Sequence, residues 1–262
     1  MSATDDPFEG TETYYAEHRP AYDPAAIRYL SSRFDLSAED RALDLGSGPG
    51  HLAVELAAHA GDVIGMDPSI EMLRQARRRA REAGRENVAW VVGSDADVDG
   101  TVAPVRLTTI GRAFHRMHGE ATLQRLHRVT EPGGGVALLT DAEWLTRGTR
   151  AWQDAVYATA ERYLDDLPER TGPIEHDDPW DELLDEFGFA DVETATFESE
   201  REWTVDGVVG YVFSLSFCSP ARFGDDRAAF EAELRECLRE RGAETFIEDA
   251  ELRVVSGRKE PA

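Results

Sequence analysis

The chain has 262 residues, 41% hydrophobic and 9% aromatic, enough to build a sizeable core and too apolar for an intrinsically disordered protein. Its 52 acidic and 28 basic residues leave a formal charge of −24, which disfavours free nucleic acid as a partner, because phosphate binding needs clustered Lys and Arg. No apolar run is long enough to span a bilayer, and Cys218 and Cys237 are isolated, without metal-ligand spacing, so a reduced cytoplasmic setting with packing thiols is expected.

Residues 1–12 read as a frayed acidic end, and the polar Met1–Gly10 stretch does not resemble a signal peptide. Strand-like and helix-like segments then alternate. Ala42–Gly46 (ALDLG) is a short buried strand ending in glycine, and Leu52–Ala60 a helix. Asp62–Asp67 (DVIGMD) is a second strand, followed by an amphipathic helix over Ser69–Ala83 with Ile70, Met72, Leu73 and Ala76 on its apolar side. The basic cluster Arg74–Arg85 lies on this helix between alanines and reads as a solvated face. Val88–Val92 and Val105–Ile110 are the third and fourth strands. A helix over Glu120–Thr130 stops at Glu131-Pro132-Gly133-Gly134-Gly135, and Val136–Thr140 is the fifth strand. Helices are expected over Arg150–Leu167, Pro179–Phe187, Val208–Phe217 and Asp225–Arg241, and strands over Asp191–Thr204 and Leu252–Gly257. This alternation predicts an α/β fold. Its sheet is doubly wound and mostly parallel, with seven strands and helices on both faces, and residues 1–262 form a single domain.

Carboxylates run the whole length of the chain, while Lys259 is the single lysine. Distributed acid with almost no lysine suits a protein that stays hydrated in high salt, where self-repulsion is screened, and points to a halophilic source.

The segment Leu43-Asp44-Leu45-Gly46-Ser47-Gly48-Pro49-Gly50 carries the most chemistry. A buried strand leads into a turn whose glycines lack Cβ atoms, so a ligand can approach bare backbone, and the next helix points free N–H groups into the crevice. A dinucleotide site would need GxGxxG. Counted from Gly46, the third glycine position is His51; counted from Gly48, GPGHLA matches GxGxxA but puts Pro49 in the tight turn. Val63-Ile64-Gly65-Met66-Asp67 ends the second strand in an acid placed to accept both ribose hydroxyls of a nucleoside. An acid at a helix N-terminus, stabilised by the dipole, is the alternative reading of Asp67.

LDLGSGPG resembles motif I of the class I (Rossmann-like) S-adenosylmethionine-dependent methyltransferases, in an apolar strand, an acid, an apolar residue and GxGxG. Asp67-Pro68-Ser69-Ile70-Glu71-Met72-Leu73 resembles the D-x-S-x-x-M-L segment of the small-molecule enzymes in that family. The resemblance implies S-adenosyl-L-methionine as cofactor, with Asp44, Gly46, Ser47, Gly48 and Gly50 at its amino-acid end and Asp67 at its ribose. It also implies Pro68 and Ile70 at its adenine, with Met72 in the core. In Gly93-Ser94-Asp95-Ala96-Asp97 it implies Ser94 and Asp95 near the adenine amino group, with Asp97 or a plain helix cap as competitors. Gly111-Arg112-Ala113-Phe114-His115-Arg116 resembles a G-x-A/S-F-H-W segment beside the transferred methyl, with Arg116 in place of tryptophan. Gly111 then joins the cofactor set, and His115 is a candidate general base or a structural histidine.

Tyr14–Tyr22 resembles the Y-x-x-x-R-P-x-Y segment of these enzymes, so residues 12–35 are expected to cover the cofactor through Tyr15 and Arg19. Residues 142–180 fall where the family has a helical lid, and 203–242 resemble its substrate-side helices, with Trp203, Tyr211 and Ser214 as acceptor-pocket candidates and plain core packing as the alternative. The [D/N/S]-P-P-[Y/F] sequence of base- and glutamine-modifying N-methyltransferases is absent, and the fourth strand ends without a carboxylate to pair with Asp141, so no metal is expected. The reading is methyl transfer to a small-molecule acceptor. The alternatives are a nicotinamide-dependent oxidoreductase and a non-catalytic S-adenosylmethionine-binding protein, since fold alone does not separate them.

Overall fold

The computed structural model describes residues 10–172 and 178–261, so residues 1–9 of the expected frayed end and residues 173–177 of the 142–180 segment lie outside the described residues. In chain order the elements are α1 (Glu12–His18), α2 (Pro24–Arg33), β1 (Arg41–Leu45), α3 (His51–Leu56), β2 (Asp62–Asp67), α4 (Ile70–Glu82), β3 (Val88–Val92), β4 (Val105–Gly111) and α5 (Gly119–Val129). They continue with β5 (Thr130–Asp141), α6 (Trp144–Arg147), α7 (Ala151–Ala160), α8 (Trp180–Glu186), β6 (Phe189–Thr204), α9 (Val205–Phe213), α10 (Arg227–Arg239) and β7 (Thr245–Lys259).

The chain divides into two compact units. The sheet unit comprises Ala21–Asp141, Asp177–Phe197 and Leu252–Ala262; the aromatic unit comprises Met1–Pro20, Ala142–His176 and Glu198–Glu251.

The seven strands are ordered β3-β2-β1-β4-β5-β7-β6. The pairs β3·β2, β2·β1, β1·β4 and β4·β5 are parallel and β5·β7 is antiparallel, the mostly parallel sheet expected from the sequence. β1 and β2 are buried almost throughout, as strands covered on both faces must be. Successive β1 residues serve opposite faces. Leu43 and Leu45 pack with Ile64, Ile110 and Leu138 on one side, and Ala42 packs with Val63, Leu107 and Ala137 on the other. Each large side chain so buried contributes roughly 1.5–3 kcal/mol. Strand order reverses at β1, which has β2 on one side and β4 on the other, and a crevice opens at the carboxyl ends of strands at such a point.

Helix α4 starts at Ser69, whose hydroxyl accepts from the Met72 N–H, and it buries Met72, Leu73, Ala76 and Ala80. Ile70 departs from the expected apolar side: it is 53% exposed in the first turn. The Pro-Gly run at 131–135 departs too. β5 begins directly after α5, and the run forms a bulge in it, with Val105 opposite Thr130 and Leu107 opposite Gly135. A Cβ on Gly135 would lie 2.2 Å from the Gly257 carbonyl oxygen, so glycine is what lets β7 approach.

In the aromatic unit, Trp144 packs against Trp152, Tyr211 and Trp203 with ring centroids 4.7, 4.6 and 5.8 Å apart. The helix expected over 150–167 ends at Ala160, and the one expected over 208–217 runs Val205–Phe213, because Thr204 caps it by accepting from the Gly207 N–H. The last strand is longer than its Leu252–Gly257 apolar run.

Candidate cofactor site

The site in the sheet unit is built on the turn from β1 to α3. Gly46, Gly48 and Gly50 all adopt left-handed backbone, with φ of 72°, 52° and 79°. Their missing Cβ atoms matter differently. A Cβ on Gly50 would meet the Trp90 ring at 2.6 Å and Ala76 at 3.0 Å, and one on Gly46 would meet Ala113 at 2.8 Å. A Cβ on Gly48 would point into open space. The turn is thus packed at two glycines and open at the third.

Its polar groups are ordered from β2. The Gly46 and Ser47 N–H groups donate to the Met66 carbonyl at 2.8 and 3.0 Å. Asp67 is 8% exposed; its Oδ2 accepts from the Gly48 N–H at 2.8 Å and its Oδ1 from the Ser69 N–H at 2.9 Å. Both readings of Asp67 have a counterpart here: it sits at the start of α4, and its carboxylate faces the turn. Ser47 is 7% exposed and its hydroxyl has no hydrogen-bond partner among the described residues. A buried orphan hydroxyl beside bare backbone fits a ligand that brings a polar group of its own.

Asp44 is a correction. Grouped with the ligand-holding residues from sequence, it is 1% exposed, and both its oxygens are engaged from within the protein. Ala53 N–H donates to Oδ2 at 3.0 Å and the Thr109 hydroxyl to Oδ1 at 3.1 Å, so it straps α3 and β4 beneath the turn. Burial pushes its carboxyl up to about 7 against the lowering by these two bonds, with the Asp67 charge adding to the rise.

At the end of β3, Asp95 Oδ2 accepts from the Thr122 hydroxyl at 2.7 Å and from the His118 N–H at 3.3 Å, with His118 Nδ1 also at 3.3 Å. The carboxylate is thus anchored through Oδ2 to the segment that opens α5. Burial raises its pKa, but the bonds from Thr122 and His118 outweigh that and hold it below the usual range. Ser94, expected near the adenine amino group, spends its N–H and hydroxyl on Asp97, at 2.8 and 3.0 Å. Pro68 and Ile70 are exposed at the start of α4, open to a flat apolar ligand.

After β4, a Cβ on Gly111 would fall 2.1 Å from the Tyr22 hydroxyl. Arg112 adopts a left-handed φ of 56° and grips Asp141 with two bonds of 2.6 Å, its guanidinium 4.6 Å from the Tyr22 ring centre. Sequence reasoning noted Asp141 and missed this pair, since nothing in the local pattern links residues on separate strand ends. His115 lies in a 3₁₀ turn, with Arg116 Nε donating to its Nε2 at 3.3 Å. Desolvation and the Arg116 charge lower its pKa, opposed by Asp178, which favours the neutral ring a base requires.

The remaining candidates belong to the aromatic unit. The Arg19 guanidinium lies 5.0 Å from the ring centres of both Tyr15 and Tyr211. Trp203 and Tyr211, expected in an acceptor pocket, are 7% and 2% exposed and pack in the unit's core. Ser214 is fully buried and its hydroxyl donates to the Tyr211 carbonyl at 2.5 Å, which corrects its expected acceptor-facing role. A cavity of about 680 Å³ in this unit is lined by other residues, Trp144, Arg147 and Glu248 among them. Sequence reasoning also missed Glu143. It caps α6 by accepting from the Leu145 and Thr146 N–H groups, and burial raises its pKa despite those bonds.

Strand order, the reversal at β1 and a glycine turn facing a strand-end carboxylate define a class I methyltransferase fold. Residues 42–134 match the family described as a methyltransferase domain. An uncharacterised methyltransferase of Schizosaccharomyces pombe is 25% identical over 86% of this chain and 84% of its own length. The trans-aconitate 2-methyltransferase of Rhodococcus jostii is 40% identical over a shorter stretch, 32% of this chain and 33% of its own. A solved structure described as a type II methyltransferase from Anaeromyxobacter dehalogenans superposes with a TM-score of 0.64 at 27% identity, covering 93% of this chain and 99% of that one. Residues 42–134 are a methyltransferase domain on a class I fold, and these likenesses support S-adenosylmethionine-dependent methyl transfer by this chain.

Proposed function

We propose that the turn at 46–50, Asp67 and Asp95 hold S-adenosylmethionine, and that the acceptor is a small molecule. The cofactor supplies a methyl group on a sulfonium whose positive charge already activates the leaving group. The protein's own work is to grip the cofactor, align the acceptor and keep water out. Gly48 backbone and the Ser47 hydroxyl would receive the amino-acid end. The Asp67 carboxylate would accept from the ribose hydroxyls, Asp95 Oδ1 from the adenine amino group, and Pro68 and Ile70 would flank the ring. Gly111 closes the strand-end side of the crevice.

The observation that carries this reading is a buried Ser47 hydroxyl, partnerless among the described residues, beside Gly48, whose Cβ position is open and whose N–H is held by Asp67. A small acceptor is supported by the net charge of −24, which repels nucleic acid, and by the relative named for trans-aconitate. His115, neutral and beside the fourth strand's end, is the candidate base for an acceptor that starts protonated. The acidic, lysine-poor composition favours work in the cytoplasm at high salt.

Calorimetry in high salt with S-adenosylhomocysteine and with NAD tests the site. Binding of S-adenosylhomocysteine without NAD is expected, and Asp67→Ala should weaken it at least tenfold through loss of a charged acceptor. Unchanged affinity in that variant would remove Asp67 from the site.

A further inference from the structure

Arg79 belongs to the arginine-rich stretch of α4 whose sequence reads as a solvated face. Two of its neighbours behave that way: Arg74 pairs with Glu71 and Arg78 approaches Glu82 along the helix surface. Arg79 instead turns inward. Its Nε donates to the Pro49 carbonyl at 3.2 Å, and its terminal nitrogen lies 2.7 Å from His51 Nε2. An arginine can only donate, so Nε2 is the acceptor and the His51 ring carries its proton on Nδ1. Burial pulls the Arg79 pKa down, and it is set among Glu82 and Glu55, which raise it, and Arg78, which lowers it.

The partners are what matter. Pro49 and His51 lie within and just after the glycine turn, 30 and 28 residues before Arg79. The Pro49–Gly50 peptide is held at both ends, its carbonyl by Arg79 and its N–H by the Ser47 carbonyl at 3.0 Å. The neighbouring Gly48 N–H is held by Asp67. Ala76, one turn of α4 before Arg79, and Trp90 press on the same turn at Gly50, while the Gly48 position stays open. A partly desolvated guanidinium thus reaches back from α4 to bond the Pro49 carbonyl and the His51 ring, tying the helix to the backbone of the turn.

We propose that Arg79 is a positioning residue for the cofactor, fixing the glycine turn from behind so that its open side is preformed before binding. This rests on the turn being the cofactor site. Arg79 touches no ligand; it acts through Pro49 and His51.

The test is S-adenosylhomocysteine binding to Arg79→Leu, Arg79→Lys and the exposed control Arg77→Gln, each alongside its thermal unfolding. Arg79→Leu should bind about tenfold more weakly at a temperature where it is fully folded. Arg79→Lys, which can reach one acceptor but not fork across two, should fall between it and the wild type. Arg77→Gln should match the wild type. In a cycle with Asp67→Ala, the two losses should not multiply, because both residues fix the same short backbone segment. Wild-type affinity in folded Arg79→Leu and Arg79→Lys overturns the proposal, as does a fall in unfolding temperature with affinity unchanged. Should Arg79→Leu not fold, Arg79→Lys and the cycle built on it decide the matter. Absence of binding by the wild type would instead defeat the cofactor assignment itself.

Discussion

Both units bury charge, and they use it in opposite ways. In the sheet unit, Asp44, Asp67 and Asp95 accept from backbone N–H and hydroxyl groups around the strand ends, and the turn they surround is open at Gly48. In the aromatic unit, Trp203 Nε1 donates to buried Glu248 at 2.7 Å and Tyr211 lies 3.5 Å from Glu143, in a core filled by stacked rings. Carboxylates that organise backbone leave a concave polar surface. Carboxylates that organise large side chains complete a packed interior. The first arrangement is suited to gripping a ligand, the second to giving a helical region one defined packing.

Four substitutions can break or sharpen that contrast. The largest effect is expected at Asp44. Its native carboxyl titrates near 7 against 3.8 unfolded, so between those values the native state keeps a proton that the unfolded state releases, and stability falls as pH rises. Asp44→Asn has no such slope. Its stability relative to wild type should therefore improve by roughly 4 kcal/mol between pH 4 and pH 8 in denaturant titrations. A pH-independent gap would mean that the strap is not strained by its charge.

Next comes Gly50→Ala, which combines left-handed strain with a collision against Trp90 and should cost about 3 kcal/mol in the same titrations. Gly48→Ala carries strain without a collision and should cost about 1 kcal/mol while lowering cofactor affinity. Equal losses at the two glycines would erase the distinction between the packed and open sides of the turn. In the aromatic unit, Trp203→Phe keeps one aromatic ring but loses the pyrrole part and its donor to Glu248, which should cost about 2 kcal/mol and leave S-adenosylhomocysteine affinity unchanged. A matching loss of affinity would contradict a purely interior role for that pair.

The same contrast explains what was legible in the sequence. Strand–turn–helix units with local signals could be read directly: the apolar runs of β1 and β2, the glycines at 46–50, the acid at 67 that ends β2 and the acid at 95 that follows β3. The roles of individual polar atoms could not. Asp44 and Ser94 look like ligand-facing residues until Ala53, Thr109 and Asp97 are seen to occupy them. Arg79 hides in a run of surface arginines, because helix periodicity fixes a face but not which side chain reaches back to an earlier turn. Trp203 and Glu248 stand 45 residues apart, and Arg112 and Asp141 stand 29 apart, distances over which local pattern carries no signal. Ser214 sits in an aromatic helix that could equally be pocket or core, and its bond to the Tyr211 carbonyl assigns it to the core.

A crystal structure of the chain with S-adenosylhomocysteine bound is the most direct measurement of all. The ribose hydroxyls should lie within hydrogen-bond distance of Asp67, and the amino-acid end against Gly48 with the Ser47 hydroxyl engaged. A ligand bound elsewhere, with Ser47 still lacking a partner, would contradict the assignment of this turn.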